Sequence, residues 1–142
     1  MPIPLIIGGT IILAAFIYNF FSKDAKLRIN KKYCLYASAK DNIKVLRAEV
    51  CREIDFKIQK SPNFKIGKTG NPDARAADKD YSQYKTMHLV CKSTQAAIID
   101  ELEAYCIEKY SQQPNNQNIR QGSAGQMNKK QPFFFLYIVV EN

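Results

Sequence analysis

Charged side chains are missing from the first twenty-two residues, and histidine is nearly missing from the whole chain. His88 is the only imidazole, and the four cysteines, Cys34, Cys51, Cys91 and Cys106, include no close pair of the C-x-x-C kind. A structural zinc ion needs four Cys or His ligands at such spacings, so a zinc site is excluded. The thiols read as free and mostly buried if the domain faces a reducing compartment, and only an oxidising location would pair them. No internal repeat occurs, which leaves out solenoids and propellers.

What the first residues do contain is apolar surface. From Ile3 to Phe21 the only polar side chains are Thr10, Tyr18 and Asn19, and Lys23, Lys26, Arg28, Lys31 and Lys32 follow at once. A run of roughly 20 such residues has the length of a helix that crosses a bilayer. A cleaved signal peptide would carry its charges before the apolar core and a small-residue site after it. A buried core helix would show a polar stripe. A single anchor over residues 1–22 fits best, with Tyr18, Phe20 and Phe21 where the headgroups begin. The positive flank then puts the remainder on the cytosol-like side, with 23–32 as a basic juxtamembrane linker and 33–142 as one domain.

The formal net charge is +8, and all of it lies beyond the apolar segment. Such a balance suits nucleic acid, an anionic lipid face or an acidic protein partner.

Along the domain, Tyr33 to Ser38 reads as a short strand. Ile43, Leu46, Val50 and Ile54 recur at helical spacing within an expected helix from Asp41 to about Lys57. Phe64 to Gly67 reads as a second strand, and Pro72 opens a helix running to about Asp80. Lys85 to Cys91 reads as a third strand. Ser93 or Thr94 caps a helix from Gln95 to Tyr110. Ser111 to Pro132 reads as a long polar loop, and Phe133 to Val140 as a buried strand. The order predicts an α+β fold, a small central sheet flanked by helices.

One segment carries chemistry. In Phe64-Lys65-Ile66-Gly67-Lys68-Thr69-Gly70-Asn71-Pro72-Asp73-Ala74-Arg75 a strand ends in glycine, a turn follows, and an arginine stands one turn into a helix. Glycine permits a tight turn and a close ligand, and an arginine there can fork onto a phosphate. Glu103 stands beside the apolar stripe of Ile99, Cys106 and Ile107, as either a core–solvent hinge or a ligand.

From Tyr33 to Asn118 the chain resembles the GIY-YIG nuclease family, including its phage- and virus-borne relatives. Cys34-Leu35-Tyr36 stands at the first strand motif and Lys65-Ile66-Gly67 at the second. Gly67 and Arg75 keep the family's spacing, Glu103-Ala104-Tyr105-Cys106-Ile107 matches its glutamate segment, and its structural asparagine falls within Asn115-Asn116-Gln117-Asn118. Cys34 replaces the first glycine, Lys65 replaces the second tyrosine, and Lys79 stands where many members have tyrosine or histidine. An insertion holding the expected helix from Asp41 separates the two motifs.

The resemblance implies a GIY-YIG-like fold and phosphodiester hydrolysis. Glu103 would hold one Mg2+ or Mn2+ ion, Arg75 would clamp the scissile phosphate, and Tyr36 would be the catalytic tyrosine. Lys65, Lys68, Arg75 and Lys79 would line the nucleic-acid path. The altered motif positions leave a second expectation, a catalytically inactive structural protein such as a membrane-linked minor capsid component. Its partners would be the capsid proteins of a large DNA virus whose virion has an internal membrane.

Overall fold

Eight consecutive apolar or aromatic residues, Phe133 to Val140, with no alternation, fit a strand inside a sheet with side chains packed on both faces. A computed structural model describes residues 27–59, 61, 63–118, 127 and 130–141, and it puts that run inside the sheet. In chain order β1 (Arg28–Asn30) and β2 (Leu35–Tyr36) precede helix α1 (Ile43–Ile58) and β3 (Phe64–Thr69). Then come α2 (Pro72–Ala76), a 3-10 turn (Lys79–Tyr81), β4 (Thr86–Ser93), α3 (Ala96–Lys109) and β5 (Phe134–Val140).

The last strand, β5, lies between β4 and β3 and runs antiparallel to both. β1 and β2 share the outer edge of β4, each parallel to it, as one interrupted edge strand. The fold is thus α+β, a mixed sheet with helices on it. Arg28–Asn30, expected as linker, is instead strand, because Leu27 beside it buries its side chain and the strand pairs Thr86–His88. The expected anchor, residues 1–22, lies outside the described residues. Among the described residues no helix is long and apolar enough to cross a membrane.

Side-chain alternation sorts the core into two layers. Phe64, Ile66, Leu136 and Ile138 face α1 and α3, meeting Leu46, Val50, Ile54, Ile99 and Leu102. On the other face Tyr137 and Val139 meet Leu27, Ala76, Tyr81, Tyr84, Met87 and Leu89. The helical spacing read from the sequence therefore supplies the buried stripe of α1, with Leu46, Val50 and Ile54 inside it. The Oδ1 of Asn42 caps α1, accepting from the Lys44 and Val45 amides at 2.9 and 3.3 Å. α3 starts after Gln95 without a side-chain cap, because the Ser93 hydroxyl is spent one residue earlier, accepting from the Gln95 amide at 3.0 Å.

Cys51, Cys91 and Cys106 are buried free thiols and Cys34 is half-buried. The Cys51 and Cys106 thiols share a hydrogen bond between α1 and α3, which lowers Cys51 to about 7 and raises Cys106. Nearby, the Tyr110 hydroxyl donates to the Cys51 carbonyl at 3.1 Å and the Asp55 carboxylate at 2.6 Å.

The first part of the expected surface loop is not loose. The Phe64 amide donates to the Asn115 carbonyl at 3.0 Å, and the Gln117 amide donates to the Phe64 carbonyl at 2.8 Å. Asn118 then holds Ile66 twice, its Oδ1 accepting from the amide at 3.0 Å and its Nδ2 donating to the carbonyl at 2.8 Å. Its side chain thus acts as one more strand partner for the outer edge of β3.

Two outcomes follow from this packing. Asn118→Ala strands both Ile66 backbone groups and should cost about 2 kcal/mol, roughly two net hydrogen bonds, in urea unfolding. An unchanged urea midpoint would show that Asn118 does not hold the edge. His88 offers a second measurement. Burial, with Lys57 and Arg28 nearby, lowers its imidazole to about 4. The unfolded chain therefore binds a proton that the folded chain refuses between its ordinary value and about 4. That contribution to stability is present above pH ~6.5 and is lost as pH falls toward ~4. Because the chain has one histidine, a proton NMR titration reads it directly. A midpoint near the ordinary value would rule out this environment.

Candidate functional site

The turn after β3 is built by its own side chains. The Thr69 hydroxyl accepts from the Asn71 amide at 3.0 Å, and the Asn71 Oδ1 caps α2 through the Ala74 amide at 3.2 Å. Pro72, with its φ preset, fills the first turn. Arg75 is thereby carried one turn in, on the face that Tyr137 and Tyr81 occupy.

Gly67 lies opposite Tyr137 in the β3–β5 register. An added Cβ would overlap the tyrosine ring, 2.9 Å from Cε1 and closer still to the hydroxyl end. The glycine is required here so that the ring can lie across the strand. The Tyr137 and Tyr81 hydroxyls meet at 2.5 Å, and their rings pack edge to face. Arg75, exposed overall, lies near enough to this pair for both phenols to act on its guanidinium. Burial opposes its charge, but Tyr137, Tyr81 and Asp78 outweigh that and hold it more firmly protonated than usual. The Lys65 ammonium lies 5.4 Å from the centre of the Tyr81 ring.

Burial is the main reason that the Tyr137 phenol is raised well above its ordinary value, with Tyr81 next. The Glu103 carboxylate raises it further and Arg75 opposes, so both act on the same phenol. A phenol so placed keeps its proton at neutral pH. It is a neutral partner for the Tyr81 hydroxyl, not a ready nucleophile.

Glu103 is buried, 3 % exposed. The Lys68 ammonium lies 3.6 Å from its Oε1 and 2.6 Å from the Asp100 Oδ1. Asp100 and Glu103 stand one helical turn apart on α3, so one lysine answers both. Carboxylate oxygens are the right donors for Mg2+ or Mn2+. In this arrangement, however, the ammonium already stands beside them, and a dication would meet a like charge. The donor set as placed does not fit the metal, and no step is derived through it. Among the described residues no group of three or more His, Cys, Asp or Glu side chains is placed to hold a metal ion.

The structure thus brings Arg75, Glu103, Lys65 and Lys68 around one stretch of β3, with Lys79 exposed in the adjoining turn. Lys68 is not available to a phosphate path, since its side chain is 9 % exposed and ion-paired. Tyr36 is not brought to the group. β2 and β3 lie at opposite edges with β4 and β5 between them, and Tyr36 is 54 % exposed against Phe133. The tyrosine beside Arg75 is Tyr137, on the strand that pairs with β3. Its signal was present in the sequence: Leu136-Tyr137 repeats the Leu35-Tyr36 pair, and Tyr137 is the one hydroxyl in β5. Tyr81 stands two residues past Lys79, and of the three candidate asparagines Asn118 is the one bonded to the motif strand.

Gly67→Ala should displace the Tyr137 ring and cost about 1–3 kcal/mol by overpacking. Chemical denaturation followed by tyrosine fluorescence measures this, and a wild-type midpoint would show that the ring does not lie across Gly67.

No protein-family model matches the chain, and neither a curated protein nor a solved structure matches it.

Proposed function

We propose that this is a membrane-anchored, GIY-YIG-like domain that binds nucleic acid by holding a backbone phosphate on Arg75. One observation carries the reading: an exposed arginine beside Tyr81 and Tyr137, at the residue that the resemblance gives to the phosphate. Its planar donors suit a phosphate better than a lysine would. Tyr137, buried and bonded to Tyr81, backs this arginine and does not itself meet the ligand. Lys65 and Lys79 add positive charge along the same stretch. Residues 1–22 are the anchor in this reading, and the lysines after them keep the domain on the cytosol-like side.

Lys68 favours a second reading. With its ammonium beside Glu103, the carboxylate is already neutralised. A domain that kept the phosphate clamp and gave up cleavage would serve as a structural protein, such as a membrane-linked capsid component.

Binding and cleavage are separable. The full chain in detergent should bind DNA with an affinity that falls steeply with salt. Arg75→Ala should weaken it about tenfold and reduce the salt slope by about one unit. Plasmid cleavage in Mg2+ or Mn2+ that disappears in Glu103→Gln would make the domain an endonuclease, whereas tight binding without cleavage supports the structural reading. Affinity indifferent to both salt and Arg75→Ala would sink the proposal.

A further inference from the structure

The sheet face beside Arg75 is only partly covered. α2 packs toward β1, and the 3-10 turn lies over Tyr137 and Val139; among the described residues no helix packs on the β2 end of this face. Direct cross-strand neighbours point to the same face, so Tyr36, Lys92, Phe135 and Thr69 form one row from β2 to β3. At ~4.8 Å per strand the row spans about 14 Å. Phe133 extends it: its ring meets Tyr36 edge to face at 6.2 Å and Phe135 at 6.4 Å. The Lys92 ammonium is held 5.0 Å from the centre of the Phe133 ring.

A groove of about 350 Å³ adjoins the row, lined by Lys31, Cys34, Pro72, Asp73, Leu89, Lys92 and Phe135. Leu89 and Phe135 form an apolar floor, and two lysines outweigh one aspartate on the walls. The Cys34 thiol, pushed up to about 11 chiefly by burial, stays protonated and adds no negative charge. The groove ends at Pro72 and Asp73, less than one helical turn before Arg75.

Resting on the phosphate-binding reading above, we propose that this face is a stacking platform for single-stranded nucleic acid that leads the strand to Arg75. Two features choose the ligand. Lys31 and Lys92 supply cations for phosphates at the margins of the platform. Tyr36 offers an exposed aromatic ring, and an unpaired base can lay its π-face on such a ring. A duplex keeps its bases stacked on one another and shows only their edges. An acidic peptide would satisfy the lysines but has no use for a row of aromatic rings.

The test is fluorescence anisotropy with the full chain in detergent, using labelled oligothymidine and a duplex of equal length. The single strand should bind at least about tenfold more tightly than the duplex, since a stacked base contributes on that scale. Tyr36→Ala should weaken the single strand about tenfold while leaving duplex affinity in place. Lys92→Ala should weaken it less and lower the salt slope. Tyr36 is exposed, so its removal should leave the fold intact, and circular dichroism checks this. Equal affinity for both nucleic acids, no response to Tyr36→Ala, or displacement by poly-glutamate at equal charge would each overturn the platform. Should Arg75→Ala weaken binding while Tyr36→Ala does nothing, the phosphate clamp survives and the platform falls. Should Tyr36→Ala act while Arg75→Ala does not, the platform survives and the clamp falls.

Discussion

Burial of β5 on both faces is the constraint on which the other elements depend. Its alternate side chains enter different cores: Phe134, Leu136, Ile138 and Val140 meet the long helices, and Tyr137 and Val139 meet the short ones. A strand of this kind cannot lie at an edge, so β3 and β4 are drawn to its two sides. That placement puts the one phenol of β5 opposite the one glycine of β3. The site is therefore a by-product of where the last strand must go.

Electrostatics divides the same neighbourhood. On the helix face Lys68, Asp100 and Glu103 answer one another at short range, which makes that face locally closed. On the opposite face Arg75 stands beside two neutral phenols, with Lys65 over the Tyr81 ring and Asp78 the acidic group that acts on it. One cation is spent within the fold and the other is left facing outward. The positive charge that the fold leaves unspent therefore lies on the Arg75 side.

Much of this was legible in the sequence. Periodicity locates α1 and its buried Leu46, Val50 and Ile54, the apolar run locates β5, and the glycine-to-proline turn locates the short helix that carries Arg75. β1 escaped because its three residues are set by pairing with β4, not by a pattern of their own. Tyr36 enters the expected site through the resemblance, because Cys34-Leu35-Tyr36 stands at the first strand motif. The partner of β3 comes from the far end of the sequence, and that long-range pairing leaves no local trace except the repeated Leu-Tyr. Asn118 could be narrowed only to a group of three, since its role is a pair of bonds to another segment's backbone.

Both margins of the sheet are shut in different ways. On one, Asn115, Gln117 and Asn118 occupy the outward backbone groups of Phe64 and Ile66. On the other, the edge is broken into three residues and two residues, with Lys31 and Lys32 in the gap. Short, charged or covered borders give a neighbouring copy no template to extend. The domain can therefore be crowded, on a surface or in a shell, without its sheets joining end to end.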